Sequence, residues 1–187
     1  MTISQELKIV FTGPMGAGKT TAIRAISDSP PVSTEVANND RAAHGKESTT
    51  VALDYGELTL ENGIIVRLYG TPGQGRFSFM WEIVGRGALG VILLLDASSP
   101  SVASELTSFL EVFRHTTPDQ AFVIGVGRLP HDGGHLLDDL TSAVVATGIV
   151  APVFAVDVRD GEDVFLLIET LLCIRETRIP ERDDAIV

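Results

Sequence analysis

The chain has few of the features that mark secreted or membrane proteins. Its 187 residues include one cysteine, Cys173, so no internal disulfide can form, and we expect this thiol to be buried on the apolar side of a helix. The longest apolar stretch, residues 88–95, is too short to span a bilayer. The ends carry no secretion, acylation or prenylation signal. These absences predict a cytoplasmic location without a direct membrane anchor.

Basic residues are also scarce, with 14 Lys and Arg against 25 Asp and Glu, for a formal net charge of −11. Nucleic acids and anionic membrane surfaces require clustered positive charge. Neither is therefore expected as a principal partner. Hydrophobic residues make up 44% of the chain, which is enough for the core of one domain. We expect residues 1–180 to form that domain and residues 181–187 to form a mobile tail.

Six apolar runs alternate with helix-like stretches, a pattern typical of an α/β sheet with crossover helices. The Asn62-Gly63 pair between the second and third runs predicts a β-hairpin. We therefore expect a six-stranded, mostly parallel sheet with one antiparallel edge strand and about five helices. The polar residues 32–49 are expected to form a loop whose order depends on a bound ligand. The six runs lie near residues 7–12, 50–60, 63–69, 88–95, 121–127 and 152–156.

The most informative motif is Gly-Pro-Met-Gly-Ala-Gly-Lys-Thr at residues 13–20, which matches G-x-x-x-x-G-K-[ST] between an apolar run and a helix-like segment. Glycines let such a loop curl so that its N–H groups point at phosphate oxygens, while Lys19 neutralises the β- and γ-phosphates and the Thr20 hydroxyl is available for Mg²⁺. The alternative is a simple tight turn. The motif predicts a nucleoside triphosphate site, with contacts from Gly13, Met15, Gly16, Ala17, Gly18, Lys19, Thr20 and Thr21.

A second motif, Gly-Thr-Pro-Gly-Gln-Gly-Arg-Phe, occupies residues 70–77 after the third apolar run. Together with the phosphate loop, Thr50 and the hairpin, it resembles the second switch of the Ras-like small GTPases. More narrowly, the chain is similar to bacterial predicted GTPases related to the gliding-motility GTPase. The resemblance implies that Thr20 and Thr50 ligate Mg²⁺, that Gly73 donates an N–H to the γ-phosphate, and that Gln74 orients the attacking water. It implies a catalytic set of Lys19, Thr50 and Gln74.

The metal side of this pattern is incomplete. Gly70 stands where the family has an aspartate that holds Mg²⁺ through water, so the affinity for Mg²⁺ is expected to be reduced. Asp96, which ends the apolar run 91–96, could replace that carboxylate if its strand lies beside the phosphate loop. We favour the simpler interpretation, in which Asp96 caps its strand.

The base side also departs from the family. Gly127-Arg128-Leu129-Pro130 stands where Asn-Lys-x-Asp is expected, so the carboxylate that reads guanine is absent. Arg128 could still stack on the base, and Asp132 is the nearest candidate to replace the carboxylate. The third base-side element is Val156-Asp157-Val158-Arg159, whose backbone N–H groups could meet a purine carbonyl. GTP and GDP are the expected ligands, and ATP is an alternative ligand.

These residues predict a nucleotide-dependent switch that binds GTP with Mg²⁺ and hydrolyses it slowly. The family resemblance implies a roadblock-type regulator or a GTPase-activating partner, and an effector that contacts the two switch regions. One alternative is a pseudo-GTPase, a binding module with relaxed base specificity and no turnover, favoured by Gly70 and the missing base-reading aspartate. A P-loop kinase is a weaker alternative, because 14 basic residues include no cluster resembling an arginine-rich lid.

Overall fold

The computed structural model describes residues 6–37, 50–73, 83–116 and 120–177 and has an α/β fold, which confirms the predicted class. Residues 83–85 are helical and border undescribed residues. The predicted tail 181–187 lies outside the described residues. The strands with assigned bounds are β1 (Glu6–Thr12), β2 (Val32–Ala37), β3 (Thr50–Thr59), β4 (Ile65–Gly70), β5 (Gly90–Asp96), β6 (Ala121–Gly127) and β7 (Val153–Ala155). The helices are α1 (Lys19–Ile26), α2 (Val102–Thr116), α3 (Gly134–Ala146) and α4 (Gly161–Thr177).

All seven strands join one sheet in the order β2-β3-β4-β1-β5-β6-β7. Neighbours from β4 to β7 pair in parallel, while β3 runs antiparallel to both β2 and β4. The predicted hairpin joins β3 to β4. Gly63 takes a φ of 78° in its turn and donates its N–H to the Leu60 carbonyl at 2.8 Å. The turn therefore uses the left-handed conformation for which the Asn-Gly pair is suited.

One strand forms inside the segment expected to be a loop. Residues 32–37 pair with β3 from Val32 opposite Tyr55 to Ala37 opposite Thr50. β3 has ten residues and β4 has six. β2 pairs along the side of β3 that faces away from β4, and it provides hydrogen-bond partners for backbone groups that would otherwise be unpaired at the sheet edge. The sheet thus has one strand more than expected, and β2 rather than the antiparallel β3 lies at the edge. Residues 38–49, the rest of the expected loop, lie outside the described residues.

Helices cover both faces of the sheet. α1 and α4 pack on one face through Ile23 and Leu167, and α2 and α3 pack on the other through Leu106 and Leu140. The residues of β5 and β6 are almost all buried, as expected for parallel strands covered on both sides. Among the described residues, none of the helices combines the length and apolar character needed to cross a membrane.

The prediction that Cys173 is buried is wrong, because this cysteine is exposed. The core stripe of α4 consists of Val164, Leu167, Ile168 and Leu171. Cys173 follows Leu171 by two residues, which places it about 200° around the helix from that stripe.

The parallel strands bring the predicted motifs to one edge of the sheet. The ends of β1, β4, β5 and β6 lead into the loop 13–18, the motif that begins at Gly70, Asp96 and Arg128, respectively. In open α/β sheets, ligands bind in the crevice outside the carboxyl ends of the strands. The candidate site therefore lies where this architecture places ligand sites.

Candidate functional site

The phosphate loop is a strand-loop-helix turn that only glycine can make at three positions. Gly13, Gly16 and Gly18 have φ values of 136°, 84° and 93°. A Cβ on Gly13 would lie 2.0 Å from the Leu94 carbonyl oxygen, which rules out any side chain there. The loop enters α1 at Lys19, so the motif has the strand-before and helix-after context that a phosphate cradle needs.

Lys19 is held in the middle of this loop. It is only 8% exposed, and its Nζ donates to the carbonyl oxygens of Gly13 at 2.8 Å and Pro14 at 2.7 Å. Burial lowers the pKa of Lys19 to about 8, while the nearby charge of Asp54 opposes that shift. The loop therefore fixes a positively charged group, which keeps its proton at neutral pH, at the start of α1.

Thr20, the next residue, donates its hydroxyl hydrogen bond to the carboxylate of Asp54. Asp54 lies in β3, directly opposite Gly70 of β4. Asp54 was not predicted from the sequence as a site residue. A signal was present, because the Asn62-Gly63 turn sets the β3–β4 register and Asp54 is a lone carboxylate between Leu53 and Tyr55.

The second motif lies against the phosphate loop through its glycine. A Cβ on Gly73 would come within 2.4 Å of the Met15 amide nitrogen, so the two backbones are in close contact. Thr71 anchors the motif, because its N–H donates to the Phe11 carbonyl at 2.9 Å and its hydroxyl donates to the Thr12 hydroxyl at 2.9 Å. The structure thus brings Gly73 beside the loop as predicted. Gln74 lies outside the described residues.

Thr50 lies at the start of β3, four residues before Asp54, and its backbone pairs with Ala37 of β2. A strand advances about 3.3 Å per residue, so the α-carbons of Thr50 and of Asp54, which accepts from Thr20, are about 13 Å apart. The structure therefore does not bring the backbone of Thr50 to the Thr20–Asp54 pair.

A cavity of about 730 Å³ lies beside the loop, between the end of β6 and the segment after β7. This volume is in the range of small-ligand pockets. The cavity brings together residues predicted for phosphate and base contacts: Ala17, Gly18, Thr21, Gly127, Arg128, Asp157, Val158 and Arg159. Asp132 is exposed and does not line it.

Arg128 connects this cavity to the phosphate loop. Its guanidinium forms an ion pair with Asp96, and it also donates to the Gly16 carbonyl from Nη1 at 3.1 Å and Nη2 at 3.2 Å. Asp96 also accepts from the backbone N–H and the hydroxyl of Ser98, as expected for a residue that caps its strand. Partial burial would raise the pKa of Asp96, but the hydrogen bonds from Ser98 and the charge of Arg128 hold it below its ordinary value.

The third base-side element is largely satisfied by its own neighbours. Arg159 donates to the Asp157 carboxylate from Nε at 2.9 Å and Nη2 at 2.6 Å, and these hydrogen bonds lower the pKa of Asp157 to about 2. The N–H of Asp157 donates to Asp163, and the N–H of Arg159 donates to Asp157. The N–H of Val156 donates to the Val126 carbonyl at 3.0 Å, so three of the four backbone N–H groups expected to meet a purine carbonyl are engaged within the chain. Val158 packs on the phosphate loop, with a methyl 2.7 Å from where a Gly18 Cβ would be.

Comparison with known proteins points to the same class of site. Residues 30–119 match the model of a family described as a conserved hypothetical ATP binding protein, a region that does not include the phosphate loop. The chain is 35% identical over 96 residues to an uncharacterized protein of Methanocaldococcus jannaschii, covering 50% of this chain and 53% of that protein. It is 26% identical over 125 residues to the Ras-related protein RabC of Dictyostelium discoideum, covering 64% of this chain and 58% of RabC.

A third relative is the GTP-binding protein ypt4 of Schizosaccharomyces pombe, 27% identical over 130 residues, covering 65% of this chain and 50% of ypt4. The chain spans between 50% and 58% of the length of these relatives. The α/β sheet and the phosphate loop with its buried lysine support a nucleotide-binding site, and the chain is similar to an ATP-binding family and to GTP-binding and Ras-related proteins.

Proposed function

We propose that this protein is a nucleotide-dependent switch that binds GTP with Mg²⁺ and hydrolyses it slowly. The observation that carries the proposal is the Lys19 ammonium, buried at the start of α1 and held by the carbonyls of Gly13 and Pro14. A buried charge needs compensation, and the phosphates of a nucleotide supply it at a helix N-terminus. The GTP-binding and Ras-related relatives favour a guanine nucleotide, and the ATP-binding family keeps ATP as an alternative.

The residues present fit a Mg²⁺ ion beside the phosphates. Thr20 offers a hydroxyl oxygen, one of the hard donors that Mg²⁺ prefers, and the carboxylate of Asp54 lies beside it. When bound, the ion neutralises charge that develops on the phosphates. In this proposal, Lys19 does the same from the protein side, and Gly73, whose backbone lies against the phosphate loop, donates its N–H to the γ-phosphate. In this proposal, Gln74 orients the attacking water, and catalysis rests on positioning rather than on a protein nucleophile.

The proposed switch regions are residues 32–50 and 70–77. In this proposal, a triphosphate that recruits Thr50 to the ion changes the β2–β3 pairing at Thr50, whose backbone is paired with Ala37. The nucleotide would thereby change the surface of both regions. We propose that a roadblock-type regulator or a GTPase-activating partner, and an effector, bind these regions.

A binding module without turnover is the second candidate. Near the base side, Asp96 and Asp157 are each paired with an arginine, and Asp163, which also lines the cavity, accepts from the Asp157 N–H. Each of these three carboxylates is therefore already engaged within the chain. Gly70 also removes the carboxylate expected for the ion. Relaxed base choice with nucleotide retained but not hydrolysed is the outcome this candidate predicts.

Mass analysis of the nucleotide that co-purifies with the protein identifies the ligand. Single-turnover release of phosphate, for wild type and Gln74→Leu, with and without a roadblock-type partner, then tests hydrolysis. We expect wild type to turn over at about the unassisted Ras rate, on the order of 10⁻⁴ s⁻¹, or below it. Gln74→Leu should keep nucleotide affinity and lose most hydrolysis. Tight binding with no phosphate released in either condition would replace the switch with the binding module.

A further inference from the structure

The register of the β3–β4 hairpin places Asp54 directly opposite Gly70 on the same face of the sheet. A Cβ built on Gly70 would lie 3.0 Å from the Asp54 Cβ and 3.2 Å from its Oδ2, and 3.0 Å from Ile23 Cδ1. The carboxylate of Asp54 therefore occupies the space into which a side chain at position 70 would extend. An aspartate at 70 and the present Asp54 could not both fit without a shift.

The carboxylate of Asp54 also has the contacts that an ion-site carboxylate needs. It accepts the hydrogen bond from the Thr20 hydroxyl, and its charge lies near the Lys19 ammonium. A hydroxyl that donates its one proton to a carboxylate still has two lone pairs for a cation. Asp54 thus turns the Thr20 oxygen into a ligand aimed away from β3, beside the lysine that neutralises phosphate.

We propose that Asp54 supplies the carboxylate of the Mg²⁺ site, in place of the aspartate that the family has at the position of Gly70. This inference rests on the proposed nucleotide function. Asp54 is a positioning residue that acts through Thr20 and through a water of the ion. In this proposal the carboxylate of the site comes from β3 instead of from the opposite position on β4. Gly70, which has no side chain, leaves room for it. The expected weakening of Mg²⁺ binding by Gly70 is then offset.

The competing explanation is that Asp54 only ties α1 to β3. Asp54→Asn separates the two, because an amide oxygen still accepts from Thr20 but carries no charge. Glu57→Gln is the matched control. Glu57 lies on the same strand and carries the same charge. Its carboxylate accepts a hydrogen bond from the Tyr55 hydroxyl and lies 4.0 Å from Arg67 Nε, rather than against the phosphate loop.

The measurement is the release of a fluorescent GDP analogue at a series of free Mg²⁺ concentrations, with EDTA as the zero point. We expect Asp54→Asn to need about 10- to 100-fold more Mg²⁺ than wild type to retain the nucleotide, which is the usual effect of removing an outer-shell partner of a metal. Its release in EDTA should be no faster than that of wild type. Glu57→Gln should match wild type throughout. Mn²⁺ binding to each GDP complex, followed by electron paramagnetic resonance, provides a direct reading of the ion.

The double variant Asp54→Gly with Gly70→Asp returns the carboxylate to β4 and keeps the inference testable if Asp54→Asn folds poorly. We expect it to recover most of the Mg²⁺ dependence of wild type, whereas Gly70→Asp alone should lower stability without tightening Mg²⁺. Wild-type Mg²⁺ dependence in Asp54→Asn would overturn the role of Asp54 and leave nucleotide binding standing. Failure of the wild-type protein to bind the GDP analogue at any Mg²⁺ concentration would instead overturn the proposed function.

Discussion

The two ends of the candidate nucleotide site are built differently. At the phosphate end, residues 13–20, the positions are set by glycine conformations and by a lysine that is 8% exposed. At the base end, the side chains of Arg128 and Arg159 are 59% and 80% exposed, and each is paired with a carboxylate. Exposed ion pairs contribute little because water and salt screen them. We therefore expect the phosphates to contribute most of the affinity for a nucleotide, and the base end to contribute little to the choice between GTP and ATP.

The largest expected effect comes from breaking the phosphate end. Lys19→Ala should lower the affinity for a triphosphate by on the order of 100-fold, because hydrogen bonds to a charged group are worth about 1.5–3 kcal/mol each. Titration with a fluorescent GTP analogue measures this. Lys8→Ala is the control, since Lys8 is a half-buried lysine that contacts Tyr69 and the Arg86 carbonyl rather than the phosphate loop. Unchanged affinity in Lys19→Ala would contradict the assignment of the phosphate loop.

Raising the pH weakens the same end without a mutation. The pKa of Lys19 is about 8 in the folded chain and 10.5 ordinarily, so the nucleotide-free protein loses this proton between pH 7 and pH 9. Binding must then restore it, and the affinity at pH 9 should be about tenfold lower than at pH 7. Because the unfolded chain holds more protons than the folded chain between pH 8 and 10.5, the free energy of unfolding of the nucleotide-free protein should rise across that window.

Calorimetry in buffers of different ionisation enthalpy checks the proton. Uptake of about one proton on binding at pH 9, and little at pH 7, is the expected result. Lys8→Ala should behave like wild type. Equal affinity at both pH values, with no proton uptake, would show that Lys19 keeps its charge despite its burial.

Changing the base should matter less than either of these. The GTP-to-ATP affinity ratio is expected to be about tenfold or less, far from the roughly 10⁴ that a site with hydrogen bonds to the base edge can reach. Competition between the two nucleotides for a bound fluorescent analogue measures the ratio. A value near 10⁴ would mean that a carboxylate of the base end leaves its arginine and reads guanine.

The smallest effect is expected at the exposed pair itself. Arg159→Ala breaks three side-chain hydrogen bonds to Asp157, yet both groups are open to solvent. We expect the midpoint of thermal unfolding and the affinity for GTP to stay close to wild type. Differential scanning fluorimetry with and without nucleotide checks both. A large loss of affinity would show that the base end contributes more than its exposure suggests.

The same contrast explains what could be predicted from the sequence. The phosphate loop was identifiable because a local spacing fixes its geometry, and β6 was predicted at residues 121–127, where it occurs, because its run is apolar throughout. β2 was missed because Ser33, Thr34 and Glu35 make it look like a loop, and it becomes a strand only by pairing with β3. At the base end, Arg128 and Asp96 are 32 residues apart, so no local pattern could reveal their ion pair.

Asp54 was missed for a related reason. A carboxylate in a strand is a common surface feature, and its meaning here depends on which residue lies across from it. The hairpin turn determines that partner, but only once the register is known does Asp54 fall opposite Gly70. A sequence motif consists of positions that lie close together in the chain. It therefore cannot show that a residue of a neighbouring strand, here Asp54, takes the role expected at Gly70.

Arg128 links the base end of the site to the phosphate loop. Its backbone takes the left-handed conformation, with a φ of 53°, which is uncommon for a residue with a side chain. Its guanidinium reaches both Asp96 and the Gly16 carbonyl of the phosphate loop. A base that draws this guanidinium away from Gly16 changes the loop that holds the phosphates, and by reciprocity the phosphates change the hold on the base to the same extent. A preference for one base would then appear as a longer residence time of the nucleotide, because contacts at the base end alter how the phosphate loop holds the phosphates.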